Sequence, residues 1–470
     1  MKIIKVSTEL EMSVHEFPSG TIREHNKALC ELIGNGCDLV EHVMPKRLYT
    51  ELKMPSSPVK EPGKCVSRRR LENSPEFVAS VIDQIAYEMS WHLKTRTVRE
   101  HIYMVVPEEK LVKNVDIVDG MSGKIRTLGL EKMIMQLYEV LAKEAADELW
   151  TAKVGLFQVA SIPGRGQAYG KKYIERWMSR DPEGTKYCVQ SDIKKCYPSM
   201  SHDKILEFLR RDLGKSDMLL YLFETLIGLY SEAKGQNKEK DCKHGIFIGS
   251  PVSKDLCNYY LSYLYHYCTN ELYEMKTRRG KTTRKRLIYH IMIQMDDIIL
   301  FGSNKKDLHK AMLLVIEFVK STLCLKIKDS WSLFRTGYVD RNGKQKGRDL
   351  DYMGLVFHGQ NLIKRCYSGK TVTIRNVSTR IRASIFLKAR RKIHRFAKKI
   401  KNKKIIGSKF AMSTIAYNGW FVTTDSFLVR VAECWDQLIS MAKNIISRYA
   451  KQKSYAMEKY YKKWRKLNYA

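Results

Sequence analysis

The chain has 470 residues, enough for several substructures around a sizeable core. Lysine and arginine number 84 against 50 aspartate and glutamate residues, and the net charge of +34 attracts polyanions such as nucleic acids. No stretch is apolar for long enough to span a membrane, no signal-peptide layout is present, and the 11 cysteines form no Cys-x-x-Cys pair, so we expect a cytoplasmic protein without a zinc site or a disulfide framework.

The first 66 residues differ from the rest of the chain. They combine a strand pattern at residues 1–6 with a helix pattern at residues 25–33. A stretch with prolines and a glycine, followed by three consecutive arginines, then changes the composition. We predict a small appended α/β domain of unknown function at residues 1–66, followed by a helical extension over residues 67–120.

A strand pattern at residues 187–192 ends in a single acid, Asp192. Pro198 breaks the run that follows, and Ser201 is placed to cap a helix that begins near Lys204. The carboxylate is therefore predicted at the end of a strand, beside a turn.

Two adjacent acids, Asp296 and Asp297, lie between two apolar, β-prone runs within residues 287–302. This pattern predicts a strand, a tight turn and a second strand, with the acids at the tip of the hairpin. Adjacent carboxylates repel each other, so a folded chain holds them together when a cation lies nearby. An isolated Asp-Asp pair is most often a solvated turn, but the apolar strands place this pair on a rigid platform.

Asp192, Asp296 and Asp297 together predict a three-carboxylate metal site. Such a site clamps two divalent ions about 3.5–4 Å apart, and Mg²⁺, a hard ion that prefers oxygen ligands, suits it, with Mn²⁺ as the alternative. The backbone carbonyl of Ile193 would add one more oxygen ligand. One ion activates a 3′-hydroxyl and the other holds a triphosphate, which is the chemistry of nucleotidyl transfer.

Much of the positive charge is concentrated in two segments. Residues 276–286 are predicted to form a basic hairpin insertion, and residues 380–404 contain repeated basic pairs. Residues 380–400 have apolar side chains at helical spacing, with basic residues on the other faces. The apolar positions are Ile381, Ile385, Phe386, Ala389, Ile393 and Phe396.

In order along residues 123–357, the chain resembles the reverse transcriptase family. The matching segments are the first catalytic motif (191–197), the second motif (245–261), the aromatic-x-Asp-Asp motif (294–297) and the primer-grip hairpin (351–357). The resemblance implies that Asp192, Asp296 and Asp297 are the catalytic metal ligands. It also implies that the basic helix beyond residue 380 belongs to a thumb that closes on the template–primer duplex.

The resemblance implies substrate-binding roles for several other residues. Tyr197 matches the bulky aromatic under the sugar, which collides with a 2′-hydroxyl and so favours deoxynucleotides. Lys124 and Arg126 match a fingers strand whose cations meet the incoming triphosphate; the alternative is that both are surface charges beside a turn. Arg165 matches a glycine-containing loop that approaches the template and contacts a phosphate.

Two further assignments come from the second motif and from the segment beyond the hairpin. Gly249 and Ser253 match the glycine turn and the helix that lie under the template–nucleotide pair in the family. Residue 331 is tryptophan where many relatives carry a lysine assigned as the general acid. Lys328 is the nearest alternative for that role.

Besides Trp331, three positions depart from the usual family pattern. Gln294 replaces an aromatic residue, and Ile248 replaces a glutamine in a way that is typical of diversity-generating retroelements. Lys254 stands where those relatives usually have glutamine, which weakens the assignment to that branch. Residues 416–421 resemble a thumb element of the same relatives.

We therefore expect an α+β right-hand polymerase with fingers, an antiparallel-sheet palm and a helical thumb, plus the small N-terminal appendage. Fingers and palm are assigned to residues 121–360, and the basic thumb with a C-terminal extension to residues 361–470. The expected activity is RNA-directed DNA synthesis in a prokaryotic mobile element or prophage. The expected partners are an RNA template with a DNA or RNA primer, deoxynucleoside triphosphates and a small accessory protein, with no membrane association.

Three other functions remain open from the sequence. An RNA-dependent RNA polymerase shares the fold and chemistry, but Tyr197 argues against ribonucleotides. A defence-associated reverse transcriptase would copy a dedicated non-coding RNA during phage infection, and Lys254 favours it. A catalytically inactive RNA-binding protein with a polymerase fold is the third; the departures at Gln294 and Trp331 favour it, and the three retained carboxylates oppose it.

Overall fold

A computed structural model of the chain describes residues 88–118, 123, 125–214, 217–232, 243–367 and 370–449. The predictions for residues 1–66 and for Lys124 lie outside these residues. The fold divides the chain into two compact units. Of the described residues, the first unit comprises those up to Pro163 together with those within Gln190–Ile299 and His309–Ser332. The second comprises Gly164–Val189, Leu300–Leu308 and the described residues from Leu333 onward.

The helices are, in chain order, α1 (residues 88–94), α2 (Val98–Val105), α3 (Met133–Ala145), α4 (Asp147–Lys153), α5 (Gln167–Arg180), α6 (Cys196–Ser199), α7 (His202–Leu213), α8 (Asp217–Glu232), α9 (Ser253–Asn270), α10 (Lys305–Ser321), α11 (Ala383–Lys401), α12 (Ser408–Ile415), α13 (Asn418–Val422), α14 (Phe427–Ala432) and α15 (residues 435–449). A 3₁₀ turn spans Glu108–Lys110. None of the helices in the described part of the chain is both long and apolar enough to cross a membrane.

The strands are, in chain order, β1 (Val112–Val118), β2 (Ile125–Glu131), β3 (Tyr187–Asp192), β4 (Tyr273–Arg278), β5 (Lys281–Arg286), β6 (His290–Gln294), β7 (Asp297–Gly302), β8 (Ser332–Arg335), β9 (Tyr338–Val339), β10 (Gln345–Lys346), β11 (Leu350–Tyr352), β12 (Leu355–Tyr367) and β13 (Lys370–Ile381). This mixture of helices and antiparallel sheets confirms the α+β class. The division into fingers, palm and thumb stays a prediction.

The sheet that carries the three predicted acids has four strands in the order β6-β7-β3-β8. Met295 and Asp296 form the turn between β6 and β7, so the predicted strand, turn and strand are confirmed. Consecutive apolar side chains are buried along both strands, which shows that the hairpin is covered on both faces. These side chains are Ile291, Met292 and Ile293 on β6, and Ile298, Ile299 and Leu300 on β7.

Helix α9 forms the centre of the first unit. Its aromatic and aliphatic side chains are buried around nearly the whole circumference, as its apolar composition requires. A buried ion pair between Lys153 and Asp212 (Nζ–Oδ1 2.7 Å) lies beside it. The hydroxyls of Tyr259 and Tyr263 donate hydrogen bonds to the same Asp212 carboxylate, so the buried charge is satisfied.

Two antiparallel hairpins complete the strands of the first unit. β1 pairs with β2 along its whole length, from Val112 opposite Glu131 to Val118 opposite Ile125. β1 lies inside residues 67–120, where the sequence predicted a helical extension. Most side chains of β1 are exposed, so its sequence shows little of the alternation of apolar and polar residues by which a strand is recognised. β4 and β5 form the second hairpin, at the predicted basic insertion of residues 276–286.

In the second unit, the sheet β11-β12-β13 is followed by α11. The predicted basic helix is confirmed, and four of its apolar positions are buried, namely Ile385, Ala389, Ile393 and Phe396. Ile381, the first apolar position of the predicted helix, is instead the last residue of β13. The helix begins two residues later, at Ala383. Within the core of this unit, the ring of Phe421 stacks on Trp435 with 3.8 Å between centroids.

Candidate active site

The three predicted carboxylates come from neighbouring strands. Asp192 is the last residue of β3, Asp296 lies in the turn before β7, and Asp297 begins β7. Since β3 and β7 are adjacent in the sheet, their ends meet. The backbone N–H of Ile193 donates to the carbonyl of Asp296 (2.9 Å), which fixes the two segments against each other.

The electrostatics of Asp296 reflect this arrangement. Burial raises the pKa of its carboxyl group, and the negative charge of Asp192 raises it further. The cations of Lys328 and Arg126 act in the opposite direction. A half-buried cluster of acids that repel one another is the environment in which divalent cations bind carboxylates.

Lys328 lies directly at the site. Its Nζ is 2.5 Å from Oδ1 of Asp192, and its backbone N–H donates to the Asp192 carbonyl (2.8 Å). A β-bridge between Ile193 and Ile327 holds this segment against the end of β3. The structure thus brings Lys328 to the carboxylates, while its role as a general acid stays a prediction.

The aromatic side chain of Tyr197 lies on the short helix α6, next to the hairpin tip. Its hydroxyl is 3.7 Å from Sδ of Met295, and burial raises the pKa of the phenol, so the ring stays neutral. Lys195 and Met295 both have left-handed backbone conformations, with φ of 48° and 53°. Such conformations are uncommon for residues other than glycine, and they concentrate at functional sites.

The family model described as reverse transcriptase (RNA-dependent DNA polymerase) matches residues 112–356, which is more than half of the chain. The chain belongs to the reverse transcriptase family. Enzymes of this family use divalent metal ions, an RNA template and deoxynucleoside triphosphates, and the oxygen-rich donor set of Asp192, Asp296 and Asp297 fits such ions.

Solved structures and curated sequences give different results. Among solved structures, the chain is similar to an apo telomerase from Candida tropicalis truncated from its C-terminal domain, with 13% sequence identity and a TM-score of 0.36. The match covers 54% of this chain and 54% of the telomerase chain. No curated protein sequence matches the chain.

The second motif of this reverse transcriptase domain packs closely against β2. Gly249 has a left-handed φ of +113°, and a side chain there would come within 3.5 Å of the Gly129 carbonyl. A side chain at Gly129 would in turn approach the ring of Phe247 to 2.7 Å. Ser253 begins α9 and is buried. Gly129 therefore leaves room for the Phe247 ring, whereas at Gly249 it is the left-handed backbone that favours glycine.

The remaining predicted substrate residues are dispersed. Arg126 is exposed on β2, and its positive charge lowers the pKa of Asp296. This is what we expect of a cation near the candidate metal site. Arg165 lies in the second unit, in the loop before α5. A cleft of about 600 Å³ opens beside Lys328, and Trp331 contributes to its wall.

Sequence reasoning missed a buried acid pair in the first unit. Burial raises the pKa of Glu139 to about 7, and its carboxylate accepts hydrogen bonds from Tyr230 (2.6 Å) and Ser250 (2.5 Å). Glu131 lies beside it, and burial together with the charge of Glu139 raises the pKa of Glu131 well above its usual value. The signal that could have found the pair is the position of Glu139 among apolar residues of α3.

Proposed function

We propose that this protein is an RNA-directed DNA polymerase that makes cDNA by two-metal-ion nucleotidyl transfer with Mg²⁺. The observation that carries the proposal is the meeting of Asp192, Asp296 and Asp297 at the ends of adjacent strands, in a domain that matches the reverse transcriptase family. The expectation of an intact enzyme, as opposed to a decayed one, is supported by the cation of Lys328 at the same carboxylates.

The carboxylates would hold the metal ions, with the Ile193 carbonyl as a further ligand. When bound, two Mg²⁺ ions would polarise the attacking 3′-hydroxyl and stabilise the charge on the leaving pyrophosphate. The protein's own contribution is to hold the acids in place. The hydrogen bond from Ile193 to the Asp296 carbonyl and the buried strands do so before substrate arrives.

Two cations would act on the triphosphate. Lys328 lies at Asp192 and, once metal replaces it there, can turn its ammonium toward the leaving pyrophosphate and donate a proton. Arg126, exposed on β2, would neutralise phosphate charge from the opposite side of the nucleotide. Both roles are extensions of the resemblance to the family.

Tyr197 would select deoxynucleotides. Its ring is held by α6 and by the contact with Met295, and its hydroxyl stays protonated because burial raises the pKa. A rigid aromatic ring in this place leaves no room for a 2′-hydroxyl. The steric argument favours DNA as the product and opposes an RNA-dependent RNA polymerase.

We place the enzyme in a prokaryotic retroelement or prophage, on the strength of Ile248 and the thumb-like segment 416–421. A defence-associated enzyme with a dedicated non-coding RNA is favoured by Lys254. RNA that co-purifies with the full chain separates them: a repeat from a variable protein-coding gene supports diversification, whereas one abundant structured RNA supports defence. The same purification would reveal a small accessory protein.

The test of the activity is deoxynucleotide incorporation by the purified full chain on an RNA template with an annealed DNA primer. We expect Mg²⁺-dependent extension, and a loss of at least about 100-fold in Asp296→Asn and in Asp297→Asn, because each removes a charge that holds metal. The matched control is Asp329→Asn, an acid near Lys328 whose side chain is 88% exposed.

Asp329→Asn should retain wild-type activity, because its exposed carboxylate pairs with the neighbouring Lys326 at the surface. Equal extension by wild type and Asp296→Asn would refute the proposed site. Tight RNA binding without any extension, on generic and on co-purified RNA alike, would favour the inactive RNA-binding alternative.

A further inference from the structure

A compact cluster of metal-binding side chains lies far outside the catalytic motifs in sequence. Glu88 and His92 are one turn apart on α1, and His101 is on α2. All three are buried, with 9%, 1% and 1% of their surfaces exposed. One candidate ligand atom from each lies within 4.8 Å of the other two.

A chain of hydroxyls determines where the proton on His92 lies. Thr95 Oγ1 donates its only hydrogen to the Trp91 carbonyl (2.9 Å), so in its contact with Thr97 Oγ1 (2.8 Å) Thr97 must be the donor. The hydrogen of Thr97 is thereby used. In its 2.7 Å contact with Nδ1 of His92, the Thr97 oxygen can therefore only accept. Nδ1 of His92 carries a proton, and the lone pair of the neutral ring is on Nε2.

That Nε2 atom is turned toward a carboxylate. It lies 3.7 Å from Oε2 of Glu88. A lone pair and an anionic oxygen repel each other in a buried place unless positive charge joins them. A second proton on the ring or a metal ion would each supply such charge.

The neighbouring ring argues for the metal ion. His101 stacks on His92 with 4.2 Å between centroids and 13° between planes. A proton on His92 would join that ring alone to Glu88, because a second imidazolium stacked on it would repel it. A divalent ion between them would satisfy two imidazole nitrogens and one carboxylate at once, and it would turn the rings out of the parallel stack.

The donor set identifies the class of metal. Two histidine nitrogens with one carboxylate is a set that zinc uses, whereas Mg²⁺ prefers oxygen ligands. Nδ1 of His101 is 2.7 Å from the hydroxyl of Tyr138, so a metal on Nε2 would leave an Nδ1 proton for that oxygen to accept. Outer hydrogen bonds of this kind orient metal-binding histidines.

We propose that Glu88, His92 and His101 bind a zinc ion that joins α1 to α2, with Thr97 and Tyr138 orienting the two rings. The site is separate from the carboxylates of the polymerase and would serve stability. The sequence expectation of no zinc site considered only cysteine spacing. The Glu88-x₃-His92 spacing, which places both side chains on one helix face, was the signal available.

The first test measures zinc in the full chain by mass spectrometry after purification and dialysis. We expect one zinc per chain in the wild type, and its loss in His92→Gln and in His101→Gln. Asp296→Asn should keep its zinc while losing polymerase activity, which separates this site from the catalytic one. His309→Gln, at an exposed histidine, is the matched control and should also keep zinc.

A second test needs no variant and so does not depend on variant folding. Metal-free wild type is titrated with Co²⁺ and then with Zn²⁺. We expect visible ligand-field bands at one equivalent of Co²⁺, their disappearance on addition of Zn²⁺, and a higher melting temperature with Zn²⁺. Absence of bound zinc together with a failure of the metal-free protein to bind either ion at micromolar concentration would overturn the proposal.

Discussion

Lys328 and Asp192 are joined twice, by a 2.5 Å ion pair between their side chains and by a hydrogen bond from the Lys328 backbone to the Asp192 carbonyl. The backbone bond fixes the position of the Lys328 main chain, and the ion pair shows that its ammonium reaches the Asp192 carboxylate. This cation offsets the mutual repulsion of the acids. With metal bound to the acids, the proposed role of Lys328 is to act on the leaving group.

Lys328→Met should lower kcat for nucleotide addition by about 10- to 100-fold, because it removes a proton donor while retaining side-chain length. The variant should also bind Mg²⁺ more tightly, since the ammonium no longer competes for Asp192. Single-turnover rates over a Mg²⁺ series measure both effects. Lys326→Met is the matched control, since its ammonium pairs with the exposed Asp329. An unchanged rate in Lys328→Met would remove this residue from the mechanism.

Tyr197→Ala should admit ribonucleotides. We expect the preference for deoxynucleotides over ribonucleotides, as a ratio of kcat/KM values, to fall by about 10- to 200-fold, the range expected when steric exclusion of a small group is relieved. The measurement compares incorporation of each nucleotide type opposite the same template base. Tyr289→Ala, at an exposed tyrosine before β6, should leave the ratio unchanged. An unchanged ratio in Tyr197→Ala would mean that the ring does not contact the sugar.

The sequence predicted the hairpin of Asp296 and Asp297 well, because the signals are local: two apolar runs with a pair of acids between them. The turn itself consists of Met295 and Asp296, one residue earlier than the acid pair. The helix α11 was also predictable from its apolar spacing, although its start was placed three residues early. Non-local features were not accessible in the same way. The ion pair of Lys328 depends on a bridge between Ile193 and Ile327, distant in sequence, and no local pattern encodes it.

Buried acids are a second kind of feature that sequence patterns miss. Carboxylates are mostly exposed, so the apolar neighbours of Glu139 in α3 were the one local signal of burial, and Glu131 offered none. Glu139 is buried against tertiary partners, Tyr230 of α8 and Ser250 of the second motif, whose hydroxyls donate hydrogen bonds to its carboxylate. The cost of burying the charge appears as raised pKa values.

Glu131→Gln should change the pH dependence of stability. Because the folded-state pKa of Glu131 is raised, the folded protein holds this proton more tightly than the unfolded chain, and wild-type stability falls as pH rises above about 4.3, the ordinary glutamate value. Glutamine has no proton to lose. The stability of the variant relative to wild type should therefore increase with pH from about 4.3 up to the raised folded-state pKa of Glu131.

Melting temperatures of both proteins at pH 5 and pH 8 measure this effect, with Glu109→Gln as the exposed control. The control should track the wild type at both values. Parallel melting curves for Glu131→Gln and wild type across this range would show that Glu131 is not held protonated in the folded protein.

The hairpin β4-β5 should contribute to RNA binding by neutralising phosphates. Its cross-strand pairs place Arg286 opposite Tyr273 and Thr283 opposite Lys276, and the exposed cations Lys276, Arg279 and Arg286 extend along it. Replacing these three by glutamine should weaken RNA binding regardless of sequence and reduce the slope of log K against log salt by about 0.7–0.9 for each phosphate that is no longer neutralised. Filter binding over a salt series gives both values. The control is the triple variant Lys94→Gln/Lys110→Gln/Lys113→Gln, which removes the same charge from exposed positions elsewhere in the first unit. If this control changes the slope of log K against log salt equally, net charge and not the hairpin sets the affinity.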